Sequence, residues 1–249
     1  MTSPDQTLAN RLRERAKLLV RGALMRADLE VSRGAYATRL SRALAARDVT
    51  AVLDVGANVG QYATLLRRAG YTGRVVSCEP LSGAFEQLQR RAAGDATWTT
   101  LRTAVGRERG ETTINVSANS FSSSLLPMTD AHRESAPGSA YVASETVPVT
   151  TVRALMAGNE LEPERTLLKI DTQGYEAEVL AGAGELVEQL GAVQLELSFV
   201  ELYEGQELFD AHYARMRELG FRLHIIEPGF SSPDDGRMMQ VDGLFVRQD

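Results

Sequence analysis

The chain has 249 residues, 43% hydrophobic and 24% charged, with one cysteine and a formal net charge of −6. That length and apolar content suit one α/β domain with an extension and exclude global disorder, while the negative balance disfavours a nucleic-acid partner. The lone cysteine allows no internal disulfide, no apolar run reaches the ~18–20 residues of a bilayer-spanning helix, and arginines interrupt any signal-like core at the start, so a cytoplasmic protein is expected.

The first 50 residues hold ten Lys and Arg against five Asp and Glu. Leu8, Leu12, Ala16, Leu19 and Ala23 recur three or four apart on one helical face, which predicts helix over 5–47. Residues 1–48 are therefore expected to form a helical cap ahead of a main domain over 49–249. A lid over the site, a homodimer arm and a basic face resting on an anionic membrane are alternative uses of the same segment.

An alternating pattern follows. Residues 50–55 are an apolar run before a glycine turn, which predicts a buried strand, and 61–69 predict a helix closed by Gly70. Strands are predicted over 74–78 and 98–105, with a helix over 81–93 between them and an added strand over 111–118. Cys78, in the second strand, reads as a buried, inert thiol. Residues 119–145 are rich in Ser, Ala and Gly, carry no clear period, and read as an insert loop over the site. A short strand over 145–150 then leads to Thr151 as N-cap of a short helix. Strands over 166–171 and 192–197 alternate with helices over 176–190 and 207–219. Runs 221–226 and 241–246 leave no room for a helix between them and should pair antiparallel. This alternation implies a doubly wound, mainly parallel sheet.

The strongest local signal is Asp54-Val55-Gly56-Ala57-Asn58-Val59-Gly60 at the end of the first strand. Glycines there allow a tight turn and bring a helix start close to a ligand. Glu79 ends the second strand about 20 residues on, where an acid accepts hydrogen bonds from ribose hydroxyls. Together they suit a dinucleotide or S-adenosylmethionine. Asn58 stands where a dinucleotide fingerprint wants glycine, which leans towards S-adenosylmethionine, and the Gly-Lys-Ser/Thr ending of a phosphate loop is absent.

The runs Leu53 to Gly60, Cys78-Glu79-Pro80, Leu168 to Glu176 and Leu180-Ala181-Gly182-Ala183 resemble the FkbM-type methyltransferase family, as do Glu196-Leu197-Ser198-Phe199 and Gln240 to Arg247. The similarity spans about residues 50–247, and its most specific block is Ile170-Asp171, Gly174 and Glu176. It implies a Rossmann-like seven-stranded sheet of order 3-2-1-4-5-7-6, its last strand antiparallel. It also implies O-methyl transfer from S-adenosylmethionine to a hydroxyl of a natural product, sugar or glycoconjugate. On this reading the donor site comprises Asp54, Gly56, Ala57, Asn58, Gly60, Gln61, Tyr62, Glu79, Pro80, Ala104, Val105 and Asp171. The family often carries Glu where this chain has Gln173, which removes a charge beside the site.

An alcohol gives up its proton reluctantly, so a base or a metal should assist. Asp171 ends the fourth main strand and is the first candidate acid; it could also cap the helix that follows. Glu196 ends the neighbouring strand, and the two carboxylates form a candidate Mg²⁺ pair. Of the three histidines, His224 lies mid-strand and is a candidate base, His132 lies in the insert and is a candidate substrate contact, and His212 reads as a surface helical residue. Tyr203 and Glu204 follow the fifth main strand and are expected to line the pocket of a small-molecule or glycosylated acceptor. Lys169 shares a strand face with Asp171 and should pair with a carboxylate. Asp242, within the last strand, is as well explained by a buried polar contact. A non-catalytic adenosine-binding or regulatory module and a nicotinamide-dependent oxidoreductase are the competing classes. Asn58 and the lack of a Ser/Tyr/Lys relay count against the oxidoreductase.

Overall fold

Residues 51–55, the first apolar run, are buried throughout, as a central strand covered on both faces must be. The computed structural model describes residues 32–248. Its strands are β1 (Ala51–Val55), β2 (Arg74–Cys78), β3 (Trp98–Leu101), β4 (Ala104–Val105), β5 (Gly110–Ser117), β6 (Tyr141–Thr150), β7 (Thr166–Ile170), β8 (Ala192–Ser198), β9 (Phe221–Pro228) and β10 (Gln240–Arg247). Its helices are α1 (Ser32–Ala46), α2 (Gln61–Arg68), α3 (Ser82–Ala92), α4 (Asp130–Ser135), α5 (Val152–Gly158), α6 (Glu176–Ala183) and α7 (Phe209–Glu218).

Seven strands form one sheet in the order β3-β2-β1-β7-β8-β10-β9. Counted within that sheet alone, the order is 3-2-1-4-5-7-6. β10 runs antiparallel to both β8 and β9, and the other pairings are parallel. The two halves wind outward from β1 and β7, so the strand ends open a crevice between them.

Each face of the sheet carries its own core. On one, Leu40 and Leu44 of α1, Leu66 of α2 and Leu88 of α3 pack with Val52, Val75 and Leu167. On the other, Leu155 of α5, Val179 and Leu180 of α6 and Met216 of α7 pack with Leu53, Leu168 and Leu195. A fully buried leucine stabilises by about 1.5–3 kcal/mol, and both layers are rich in them. Helix α1 is thus a cap on the sheet. The expectations that fall on residues 1–31, among them the Leu8-to-Ala23 face, lie outside the described residues.

Three expectations need correction. The single strand over 98–105 is two: Arg102 and Thr103 leave the main sheet, and Ala104–Val105 pairs parallel with β6 in a separate three-stranded sheet. Helix 176–190 ends at Ala183, and a 3-10 turn over Gly184–Gln189 follows. The insert is more regular than its composition suggests. Asn119 caps a 3-10 turn over Ser120–Ser122, Thr129 caps α4, and β6 already begins at Tyr141. Met128, Leu202 and Tyr203 form a small buried cluster, and Thr129 Oγ1 donates to Glu201 O at 2.9 Å. These contacts strap the insert to the loop after β8.

Candidate active site

Gly56 leaves β1 with φ +75, and a Cβ there would stand 1.8 Å from the carbonyl oxygen of Asp171. Only glycine lets the loops after β1 and β7 approach this closely. The next residues turn onto the end of β2. Asn58 N–H donates to Glu79 Oε2 at 2.8 Å, and Leu81 N–H donates to Glu79 Oε1 at 2.9 Å. Two backbone donors from two loops therefore fix the Glu79 carboxylate. Burial still pushes its pKa up to about 7, because removal from water disfavours the charged form.

Lys169 Nζ lies 3.2 Å from Asp54 Oδ1 and 3.4 Å from Asp171 Oδ2, and donates to Gly56 O at 3.1 Å. Burial weakens its hold on the proton, but Asp171 and Asp54 outweigh this and keep it above the ordinary lysine range. Asp54 Oδ2 also accepts from Ser77 Oγ at 3.0 Å. The buried pair sits beneath the glycine turn and braces it against β7, as the shared strand face of Lys169 and Asp171 led us to expect.

The loop after β7 is shaped by its own residues. Glu176 Oε1 accepts from Thr172 N–H at 2.8 Å and Gly174 N–H at 3.3 Å. Gly174 has φ +96, and a Cβ there would lie 2.9 Å from Tyr203 Cβ. Gln173, itself at φ 55, is thereby aimed between two acids. Its Nε2 donates to Asp171 Oδ1 at 3.0 Å and Glu196 Oε2 at 2.8 Å, while its Oε1 accepts from Tyr203 OH at 2.8 Å. Burial, then the charges of Asp171, Glu176 and Asp242, holds Glu196 well above the usual carboxylate range. Burial and the charge of Asp171 push Asp242 to about 7.

These loops enclose one cavity of about 570 Å³, within the range of small-molecule sites. From the β2 side come Glu79, Pro80 and Leu81, with Ala104, Val105, Ile114 and Leu125. From the β7, β8 and β10 side come Asp171, Gln173, Glu196 and Gln240, with His132 and Phe230. Residues 119–123 of the insert also line it, and Ser120 Oγ donates to Asn58 Oδ1 at 3.2 Å while Ser124 Oγ donates to Gln173 O at 2.7 Å. The insert is thus tied to both loops.

The model of the methyltransferase FkbM domain matches residues 54–223. The chain belongs to the FkbM methyltransferase family. Solved structures of similar shape include the FkbM methyltransferase of Methylobacillus flagellatus KT, at 15% identity and TM-score 0.47, covering 79% of this chain and 44% of that one. A putative S-adenosylmethionine-dependent methyltransferase from Listeria monocytogenes is 10% identical with TM-score 0.43, covering 82% and 93% of the two chains. Magnesium protoporphyrin IX methyltransferase from Synechocystis PCC 6803, solved with bound S-adenosylmethionine, is 12% identical with TM-score 0.45, covering 88% and 81%. This chain spans less than half of the Methylobacillus protein. A search of curated proteins finds no match.

In this FkbM-family chain, Gly56, Asn58, Gln61, Glu79, Pro80, Ala104, Val105 and Asp171 all line the cavity. Asp54, Ala57, Gly60 and Tyr62 do not. Asp54 and Ala57 are buried beneath the loop, a Cβ on Gly60 would meet Leu88 and Trp98, and Tyr62 OH turns away to Gln194 Oε1 at 2.7 Å. Asp171 is not a helix cap, because α6 starts five residues later with Tyr175 at its N-cap.

Three further placements overturn expectation. His224 is exposed on edge strand β9. Leu244 pairs with Ile225 and Phe245 with Leu223, so His224 is the extra residue of a β-bulge and faces out. Glu204 is exposed on its turn, and Tyr203 is buried behind Gln173 rather than open to the cavity. His212 is buried, not superficial, and burial lowers its pKa to about 4. The sequence reading missed Phe230, Gln240 and the bridging role of Gln173. The Gln173 departure within the specific block was a usable signal; Phe230 carries none, and Gln240 stood only as the start of the family-like tail, because only the β9–β10 pairing brings the two to the site.

Proposed function

We propose that the chain transfers the methyl group of S-adenosylmethionine to a hydroxyl of a small, uncharged or glycosylated acceptor in this cavity. The observation that carries the reading is the continuity of one cavity from the Glu79 loop to the Asp171–Gln173–Glu196 cluster. The residues fit the donor. Glu79 offers a fixed carboxylate to a ribose, Pro80, Leu81, Val105 and Ile114 offer an apolar slot to a flat base, and the acidic lining suits a cation.

When bound, S-adenosylmethionine supplies an activated methyl group on a sulfonium. The chain's residues supply proximity, alignment and exclusion of water. Gly56 and Asn58 shape the donor loop, Asp171 and Glu196 place their carboxyl groups beside it, and the insert covers both. Among the described residues no lysine or arginine lines the cavity, so nothing there would neutralise a phosphate or carboxylate on the acceptor. Phe230 and Gln240 suit a polar ring carrying hydroxyls. We read the transfer as independent of Mg²⁺, because the Gln173 carboxamide nitrogen already holds the position between Asp171 and Glu196. A cytoplasmic setting fits the single, buried cysteine.

Titration calorimetry with S-adenosylhomocysteine, with Mg²⁺ and with chelator, tests the donor site. Binding of the same strength in both is expected, followed by methyl transfer to members of a panel of neutral glycosides. No binding in either buffer overturns the reading.

A further inference from the structure

His132 lines the cavity yet is only 3% exposed. Its ring lies edge-on to Tyr203, with centroids 5.0 Å apart, and beside Phe230 at 6.1 Å. Nδ1 is enclosed without a hydrogen-bond partner. An unpartnered buried polar group costs roughly 1–3 kcal/mol, so its retention in a cavity wall points to a ligand.

The other proton-accepting groups of the cavity are already engaged. Glu79 accepts from two backbone N–H groups. Asp171 faces Lys169 and Gln173, and Glu196 accepts from Gln173. Burial lowers the His132 pKa, and no neighbouring charge is among its causes, so the ring stays neutral and carries a bare nitrogen near pH 7. The chain also places it well. Tyr203 touches the imidazole with its ring and Gln173 with its hydroxyl, so His132 stands one side chain removed from the amide that joins the two acids.

We propose that His132 is the general base that takes the acceptor's hydroxyl proton, an assignment that rests on the methyl-transfer reading above. The acceptor oxygen forms its bond to the methyl carbon as the carbon–sulfur bond breaks. The electron pair stays on sulfur, and the hydroxyl proton passes to the imidazole and from there to solvent. A positioned base of this kind contributes typically 10²- to 10⁴-fold in rate. Tyr203 is then a positioning residue, holding the imidazole with its ring and the acids through Gln173.

Ring-¹⁵N-labelled histidine in the whole protein gives a test that needs no acceptor, because the chain has three histidines. His132→Asn assigns the signal, and His224→Gln with His212→Gln assign it independently by elimination, should the first variant not fold. Spectra would be taken at pH 7.5 with S-adenosylhomocysteine and with sinefungin, whose ammonium stands where the methyl group would be. The proposal predicts a neutral His132 ring in the S-adenosylhomocysteine complex and a further shift of that signal alone with sinefungin. An imidazolium at pH 7.5, or identical His132 signals in the two complexes, overturns the base assignment and leaves the donor site standing. Failure of both ligands to bind overturns the methyl-transfer reading itself.

Discussion

The carboxamide nitrogen of Gln173 lies 2.8 Å from Glu196 Oε2 and, from its other side, 3.0 Å from Asp171 Oδ1. One neutral donor thus separates two acids that would otherwise repel across the mouths of β7 and β8. Gln173→Glu replaces that donor by a third carboxylate. Loss of the two hydrogen bonds to the acids should cost about 1–3 kcal/mol at neutral pH. Mn²⁺ or Mg²⁺ should restore part of it, as three oxygens make a cation site. Thermal melts with metal and with chelator check this; a variant as stable as the parent, with no metal response, would show that the bridge does not matter.

Glu79→Gln keeps one acceptor oxygen but sets an amide donor against the N–H of Asn58 or Leu81. S-adenosylhomocysteine should bind at least about tenfold more weakly, or about 1.4 kcal/mol. Calorimetry gives the answer directly, and unchanged affinity would remove Glu79 from the donor site.

Among the described residues, Lys169 is the sole cation paired with the buried Asp54. Lys169→Met leaves Asp54 charged and unpaired, and removing one partner of a buried pair costs about 3–5 kcal/mol. The variant should unfold at much lower urea. A midpoint like that of the parent at pH 7 would refute the bracing role.

Glu79, Glu176 and Asp242 each have a pKa raised to about 7 in the folded chain, chiefly by burial. A carboxyl raised in this way binds more protons folded than unfolded between about pH 4 and 7, so folding stability falls as pH rises through that window. The ligand-free protein should therefore melt at a higher temperature near pH 5.5 than at pH 8. S-adenosylmethionine, being cationic, should bind more tightly at pH 8 than at pH 6, when the acids are ionised. A flat melting profile and a flat affinity would contradict this electrostatic picture.

Much of the fold was legible because its signals are local. Each apolar run is bounded by its own turn residues, and right-handed crossovers leave few ways to order the strands. The region over 98–105 misled because a two-residue excursion, Arg102 and Thr103, hides within an even composition. The insert misled because its order comes from partners more than 70 residues away, such as Glu201 and Leu202 against Thr129.

The order of the sheet followed from the family resemblance, whereas the sequence by itself determined the alternation of strands and helices, the glycine turn, the acid at Glu79, the Asp171 loop and the pairing of Lys169. These depend on neighbours in the chain or on a face shared along one strand. Only the tertiary structure decided which histidine meets the cavity, that Tyr203 and Gln173 join the acids, and that Phe230 and Gln240 complete the wall. A β-bulge turns His224 outward, while the strapping of the insert onto the loop after β8 carries His132 inward. Such choices rest on packing between distant segments, which hydrophobic period and turn chemistry do not encode.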